Sequence, residues 1–173
     1  MKRLKITLFF LFISSLLFGE IAFPSSVYVV DVETGFKIML GLPPRFVERK
    51  YGIPQERKLQ FIYPSGLELW LITYPGFQIL YERHNDVMIV SIRITNEKFT
   101  TSNGLKIGSS LTDVINIYGN PTDIRKNTQG EVVFIYIHDR FKEINEYGEF
   151  TVIQFTFLYD KVTSIMIYIG RWV

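Results

Sequence analysis

The sequence predicts an α+β fold in which two tandem αβββ repeats form one curved antiparallel sheet, with short helices packed on one of its faces. Three observations favour this fold. A spaced motif of glycine, valine, tyrosine and proline occurs twice, each copy contains the pattern of a short helix, and each is followed by runs rich in branched and aromatic residues. Such runs, interrupted by turn residues, are typical of antiparallel strands. We therefore expect each repeat to be a helix followed by a three-stranded meander.

The composition indicates a folded chain without disulfides. The chain has 173 residues, of which 47% are hydrophobic and 16% aromatic, and it contains no cysteine. A chain of this length buries about two thirds of the surface that it exposes when unfolded, so it can form a substantial core. The absence of cysteine excludes disulfides, a thiolate nucleophile, cysteine-ligated zinc and a lipid-bearing cysteine.

The N-terminal segment has the pattern of an export signal. A basic start, Met1–Lys5, precedes the apolar run Ile6–Phe18. A run of about 13 residues is typical of a secretory signal peptide and is shorter than a membrane span. We therefore assign residues 1–22 to a signal peptide, expect no transmembrane span in the mature chain, and predict export to the periplasm or the extracellular space. An uncleaved N-terminal anchor is the alternative.

The charge balance argues against nucleic acid as a partner. Without Lys2, Arg3 and Lys5 the chain has 16 basic and 17 acidic residues, and the basic residues are scattered along the sequence. Binding to nucleic-acid phosphates requires clustered lysine and arginine. We therefore expect no nucleic-acid partner.

The repeated motif has the form Gly-x5-Val-x3-Tyr-Gly-x-Pro. Its glycine, tyrosine and proline positions are Gly41, Tyr51, Gly52 and Pro54 in the first copy, and Gly108, Tyr118, Gly119 and Pro121 in the second. Chance similarity between two apolar strand patterns is the alternative, but it explains the strands more easily than it explains this motif. We therefore predict a duplication, with a first repeat at residues 23–97 and a second at 98–173, in which the motif residues are structural.

Each motif contains a short helix pattern. Apolar residues of the second copy recur at i, i+3, i+4 and i+7, on one face of a helix: Leu111, Val114, Ile115 and Tyr118. Ser110 and Asp113 resemble a capping box at its start, and Gly119 is typical of a helix end. In the first copy the Pro43–Pro44 pair can begin a helix, because the first N–H groups of a helix have no acceptor within it and proline lacks this group. Gly52 ends this helix.

The predicted strands follow each helix. They are Leu67–Tyr74, Gly76–Glu82 and Val87–Thr95 in the first repeat, and Glu131–His138, Phe150–Tyr159 and Lys161–Ile169 in the second. The extended stretch Val27–Glu33 is a candidate for one further strand of the first repeat.

Alternation along these strands separates an aliphatic face from an aromatic face. The aliphatic face, with Ile165 and Ile167, suits packing under the helices, which leaves the aromatic face open. Aromatic residues are enriched at protein interfaces. The candidate partner-binding residues are therefore Trp70, Tyr74, Phe134, Tyr136, His138 and Tyr168. The alternative is that the N-terminal segment, the other repeat or a homodimer covers this face.

A family resemblance is carried by Gly104–Val114 (GLKIGSSLTDV), by Tyr118–Pro121 (YGNP) and by the strand end Leu158–Ile165 (LYDKVTSI). These segments resemble the module shared by the beta-lactamase inhibitor protein and the BamE (SmpA/OmlA) type of outer-membrane assembly protein, which are small exported helix-plus-sheet units. The tandem arrangement is more similar to the inhibitor, whose two units form one sheet with an open face that holds a partner. The chain lacks both the lipid-bearing cysteine of the assembly proteins and the cysteines of the inhibitor. No functional residue is carried over.

The hypothesis that the protein is an enzyme depends on two histidines, His84 and His138. With Asp86 and Asp139 they could form a metal site, but no H-x-H or H-E-x-x-H spacing supports it. The glycine-rich stretch Gly104–Ser110 lacks the lysine of a phosphate-binding loop. We therefore predict no catalytic residue, no metal site and no cofactor.

These patterns together predict a non-enzymatic exported module for protein binding or envelope assembly, whose partner is another exported or envelope protein. Two alternatives stay open. One is a hydrolase or metal-dependent enzyme that uses His84 or His138. The other is a structural envelope protein that associates with itself, for example as a homodimer.

Overall fold

Strands dominate the structure. The computed structural model describes residues 27–62, 67–83, 87–126, 130–138 and 149–171; the predicted signal peptide lies outside these ranges. Strands make up 57% and helices 13% of the described residues. The predicted α+β class is therefore wrong, because the described chain is mostly β and contains one eight-stranded antiparallel sheet, one small three-stranded sheet and two short helices.

The elements have the following bounds in chain order. The strands are β1 (Tyr28–Asp31), β2 (Lys37–Met39), β3 (Glu56–Ile62), β4 (Glu68–Tyr74), β5 (Phe77–Arg83), β6 (Val87–Ile94), β7 (Phe99–Thr101), β8 (Asp123–Lys126), β9 (Val132–His138), β10 (Glu149–Leu158) and β11 (Lys161–Arg171); the helices are α1 (Pro44–Tyr51) and α2 (Leu111–Tyr118). Neither of these described helices is long and apolar enough to cross a membrane.

Four strands follow each helix, not the three that the αβββ unit requires. The strands β3 and β8, which form the two edges of the large sheet, are not among the predicted strands. Nearly all residues of β3 are exposed, and β8 is a four-residue strand with the sequence DIRK. Edge strands of this kind are short or charged, which discourages further pairing, and so they lack the apolar alternation that identifies a strand in a sequence.

In the large sheet, the strands of the two halves have the same order when each half is read outward from the centre. The large sheet has the order β3-β4-β5-β6-β11-β10-β9-β8, and the small sheet has the order β2-β1-β7. The last strands after each helix, β6 and β11, pair antiparallel at the centre, with Ile94 opposite Ile165 and Ser91 opposite Tyr168. The strands that precede each helix motif, β1 and β7, likewise pair antiparallel in the small sheet.

Corresponding backbone hydrogen bonds occur where each repeated motif begins. Gly41 N–H donates to Ile89 O at 2.8 Å, and Gly108 N–H donates to Val162 O at 2.8 Å. In return, the Ile89 N–H donates to Leu42 O at 3.1 Å, and the Val162 N–H donates to Ser109 O at 2.9 Å. Both glycines have positive φ, 80° and 87°. The motif thus attaches the chain entering each helix to a central strand of the sheet.

The helix ends follow the predicted signals. Ser110 and Asp113 form a capping box at the start of α2, which confirms that prediction, and α1 begins at a proline without a side-chain cap. Gly52 and Gly119 end the helices with φ of 75° and 74° and ψ of −147° and −154°. This region of backbone space is essentially restricted to glycine. Pro54 and Pro121 lie two residues after these glycines, in the segments that lead into β3 and β8.

We expect a Gly52→Ala variant to unfold with a free energy lower by about 1–2 kcal/mol, because alanine is strained at positive φ. A Cβ atom at Gly52 would have no atom within 4 Å, so the loss reports backbone strain and not a clash. Urea denaturation measures it. Asn116→Ala on the exposed side of α2 is the control and should change stability by less than about 0.5 kcal/mol. Equal stability of the two variants would contradict the role assigned to Gly52.

The main core lies between the helices and one face of the large sheet. Val47 of α1 and Val114 of α2 are fully buried there, together with β-strand residues such as Ile79, Ile92 and Phe155. The tyrosines that end the helices pack on strand tyrosines: the ring centroids of Tyr51 and Tyr74 are 5.8 Å apart, and those of Tyr118 and Tyr136 are 5.4 Å apart. Both described helices therefore cover the same face.

Candidate binding groove on the helix-free face

Most of the predicted partner-binding residues lie in the core beneath the helices. Tyr74, Phe134 and Tyr136 are 2%, 5% and 1% exposed. Trp70 is half-buried against the same core, and its indole N–H donates to the Glu68 carboxylate at 2.7 Å. The structure therefore does not place these four side chains on an open surface.

The small size of the helices explains this placement. Each helix has only eight residues, so the helices cannot by themselves fill the space above eight strands. Large rings bury about 150–250 Å² each and can fill it. The Tyr118 ring, for example, lies 5.4 Å from the rings of both Tyr136 and Phe155. The aromatic set therefore belongs to the covered face and the aliphatic set of β4 to the opposite one.

Of the predicted partner-binding residues, Tyr168 does not lie in the core beneath the helices, and the burial of the His138 side chain is not described. Tyr168 lies half-buried on the face opposite the helices. His138 ends β9 opposite Thr151, and its side chain is not among the described parts of the chain. The other residues of the enzymatic reading, His84, Asp86 and Asp139, lie outside the described residues. Within the described residues no group of three His, Cys, Asp or Glu side chains could hold a metal ion.

The opposite face of the sheet, which we call the helix-free face because no described helix lies on it, is apolar at its centre. Register places Leu71 of β4 opposite Leu80 of β5, and Leu80 opposite Ser91 of β6. Ser91 in turn lies opposite Tyr168 of β11, with Met166 two residues before it on the same face. These residues form a continuous row across four strands.

Two adjoining cavities open along this row. One of about 400 Å³ is lined by Leu67, Leu69, Glu82, Val90, Tyr168 and Ile169. The other, of about 290 Å³, is lined by Gln60, Leu71, Gln78 and Arg93. Leu80, Ser91 and Met166 line both cavities, so the two form one groove. We call this set the central groove.

A β-bulge shapes one side of the central groove. Leu80 lies opposite Ser91 but Tyr81 lies opposite Ile89, which leaves Val90 as an extra residue in β6. Bulges redirect side chains locally, and Val90 lines the groove. Strand β11 has the corresponding bulge at Thr163, where the shift occurs between Thr156 and Phe157 of β10.

A second hydrophobic cluster supports the other side. Ile135, Phe150 and Val152 are 6%, 8% and 2% exposed, and Tyr168 packs against them. The Phe150 ring lies so close to Gly170 that a Cβ atom there would be 2.4 Å from it. Tyr168 thus belongs to both the cluster and the groove, and the packed cluster holds this wall of the groove in position.

The groove can contact apolar groups through its leucines and Met166, and it also presents polar side chains, among them Gln60, Gln78 and Ser91. Burial raises the pKa of Tyr168, and Arg125 partly offsets this rise, so the phenol stays protonated at neutral pH and can donate a hydrogen bond. Arg93 is exposed and donates from Nε to Ser164 Oγ at 3.2 Å. The sequence contains a signal for this groove, because Leu67, Leu69 and Leu71 alternate with Trp70 and so lie on the opposite face of the strand.

Comparison with protein-family models, with curated proteins and with solved structures gave no match for this chain.

Proposed function

We propose that the chain is an exported, non-enzymatic protein-binding or envelope-assembly module, and that its central groove holds an apolar segment of another exported or envelope protein. The observation that carries this proposal is the groove itself. It joins two cavities of about 400 and 290 Å³ on a sheet face where no described helix lies. Concave sites of this size, lined largely by apolar side chains with a few polar groups, are typical of binding sites.

The lining of the groove supports a protein as the partner. Leucine, methionine and tyrosine side chains line it together with the polar side chains of Gln78, Glu82 and Arg93. Protein interfaces likewise combine apolar and aromatic side chains with polar ones. Met166 adds adaptability, since its unbranched side chain fills irregular gaps.

The resemblance to the tandem inhibitor and the BamE type of module supports the same class of function. Both halves of the chain contribute strands to one sheet, and the groove lies where the halves meet, since Met166 and Tyr168 of β11 complete the leucine row of β4 and β5. We further propose that the halves arose by duplication, which the corresponding hydrogen bonds of Gly41 and Gly108 support.

Site-specific photocrosslinking tests the proposal. We expect p-benzoylphenylalanine at Leu80 to yield a discrete crosslinked product in the producing cells, which mass spectrometry identifies as another exported protein. Ile124, which is 59% exposed on β8 and outside the groove, is the control position and should not yield it. Adding Met166→Glu should reduce the Leu80 product about tenfold or more, as expected when a charge enters an interface centre.

Two results would contradict the proposal. The same products at Leu80 and Ile124 would show that the groove has no selectivity. A Leu80 product consisting of two copies of the chain, with a dimer in light scattering that Met166→Glu abolishes, would instead support the self-associating envelope protein.

A further inference from the structure

The exposed side of α1 carries three cations around an aromatic ring. Arg45, Phe46, Arg49 and Lys50 are all exposed, and at 100° per residue they fall within an arc of about 140°. Phe46 is 38% exposed. The guanidinium carbons of Arg45 and Arg49 lie 5.4 and 5.8 Å from the centroid of the Phe46 ring. The helical spacing thus places the positive charges of Arg45, Arg49 and Lys50 on one side of α1.

These cations are not neutralised by nearby acids. Glu48, the acidic residue of α1, pairs with Arg57 of β3 on another side of the helix. Among the described residues, Arg45, Arg49 and Lys50 form no ion pair, and the contacts of the two arginines are with the Phe46 ring. The side of the helix therefore has a net positive charge.

Exposed apolar side chains lie at both ends of this helix. Ile53 follows the Gly52 cap and is 95% exposed. At the other end, Arg45 borders a cavity of about 590 Å³ that is also lined by Val87 and Met88. Val87 is 40% exposed. Exposed apolar side chains therefore lie near both ends of the helix that carries the cations.

The second helix shows that the fold does not require this pattern. The motif alignment places Thr112, Asp113, Asn116, Ile117 and Asn120 at the positions of Arg45, Phe46, Arg49, Lys50 and Ile53. Helix α2 has the same length and covers the same sheet face. Its Asp113 serves the capping box instead. The basic and aromatic residues of α1 are therefore additional to what this helix position needs.

We propose that the α1 face, defined as Arg45, Phe46, Arg49, Lys50 and Ile53, binds the surface of an anionic phospholipid membrane. Lysine and arginine pair with anionic headgroups, while exposed aromatic and aliphatic side chains enter the boundary between headgroups and acyl chains. A soft membrane surface accepts projecting side chains such as Ile53, whereas an acidic protein would need a matching pocket. The central groove lies on the opposite face of the sheet and stays accessible in this orientation.

Single-cysteine labelling gives a local test, because the chain has no native cysteine. We introduce Ile53→Cys or, as matched control, Asn120→Cys, label each with the polarity-sensitive fluorophore NBD, and add phosphatidylcholine vesicles with or without phosphatidylglycerol. The expected result is a fluorescence rise and blue shift at position 53 that depends on phosphatidylglycerol and weakens at high salt. Position 120 should respond much less.

Removing the positive charges tests how much they contribute to the vesicle affinity. Arg45→Gln, Arg49→Gln and Lys50→Gln together should weaken the apparent vesicle affinity at position 53 by about a hundredfold, since each cation near an anionic surface contributes about fivefold. Because the label reports on position 53 itself, its fluorescence distinguishes binding through the α1 face from insertion of the N-terminal apolar run. Equal responses at positions 53 and 120, a response independent of phosphatidylglycerol, or a response to polyglutamate without vesicles would overturn the proposal.

Discussion

Replacing Tyr136 with alanine should lower the free energy of unfolding by about 3–5 kcal/mol, as is typical when a large buried side chain is removed. Tyr136 is 1% exposed, and its ring packs on Tyr118 and Phe155. Burial, with the nearby Tyr118, raises its pKa to about 12, so its phenol stays protonated and donates to Gly119 O at 3.1 Å. Denaturation in urea with circular dichroism measures the loss.

Two matched variants isolate the causes. Tyr136→Phe keeps the ring and removes the hydrogen bond to the end of α2, so it should cost about 1 kcal/mol. Tyr168→Ala on the helix-free face should cost clearly less than Tyr136→Ala while reducing crosslinking from Leu80. The assignment of the two faces would be contradicted if Tyr136→Ala kept wild-type stability and abolished partner binding.

Replacing Asp31 with alanine should cost about 2–4 kcal/mol, because it removes the charged acceptor of three partly buried hydrogen bonds. Asp31 lies in β1 and is 6% exposed. Its carboxylate accepts from the Tyr51 hydroxyl at 2.8 Å and from the amides of Glu33 and Thr34 at 3.0 and 3.3 Å. This carboxylate therefore connects the small sheet to the end of α1, and chemical denaturation at neutral pH measures its contribution.

The contribution of Asp31 should depend on pH. Burial alone would raise the pKa of Asp31, but hydrogen bonds from Tyr51 and from Thr34 and Glu33 together lower it below its ordinary value of 3.8. A pKa lowered in the folded state stabilises the protein above the unfolded pKa, near 3.9, and this stabilisation is lost as pH falls through the folded pKa. The stability difference between wild type and Asp31→Asn should therefore shrink below about pH 4.

Asp31→Asn also serves as the control for the alanine variant. Its amide oxygen can still accept one of these hydrogen bonds, so at neutral pH it should be more stable than Asp31→Ala. A difference between wild type and Asp31→Asn that stays constant from neutral pH to pH 3 would show that ionisation of Asp31 does not stabilise the fold.

Local signals in the sequence predicted local structure well. The capping box of Ser110 and Asp113 and the glycine ends of both helices are present. The predicted strand Leu67–Tyr74 corresponds to β4 at Glu68–Tyr74. These features depend on backbone geometry and on residues a few positions apart, so a sequence pattern contains the information that they need. The exposed edge strands β3 and β8 lack that pattern and were missed.

The sequence by itself determined where the helices begin and end, where the inner strands run, and which side chains share a face. Ile165 and Ile167 of β11 pack beneath the helices as predicted, but only the tertiary structure decided which face of β4 and β9 the helices cover. A period of two separates Trp70 and Tyr74 from Leu69 and Leu71, but both sets are apolar, and so the pattern is symmetric between the faces. Packing removed this symmetry, because two eight-residue helices leave a space that aromatic rings such as Tyr136 fill. The groove among the leucines is the consequence.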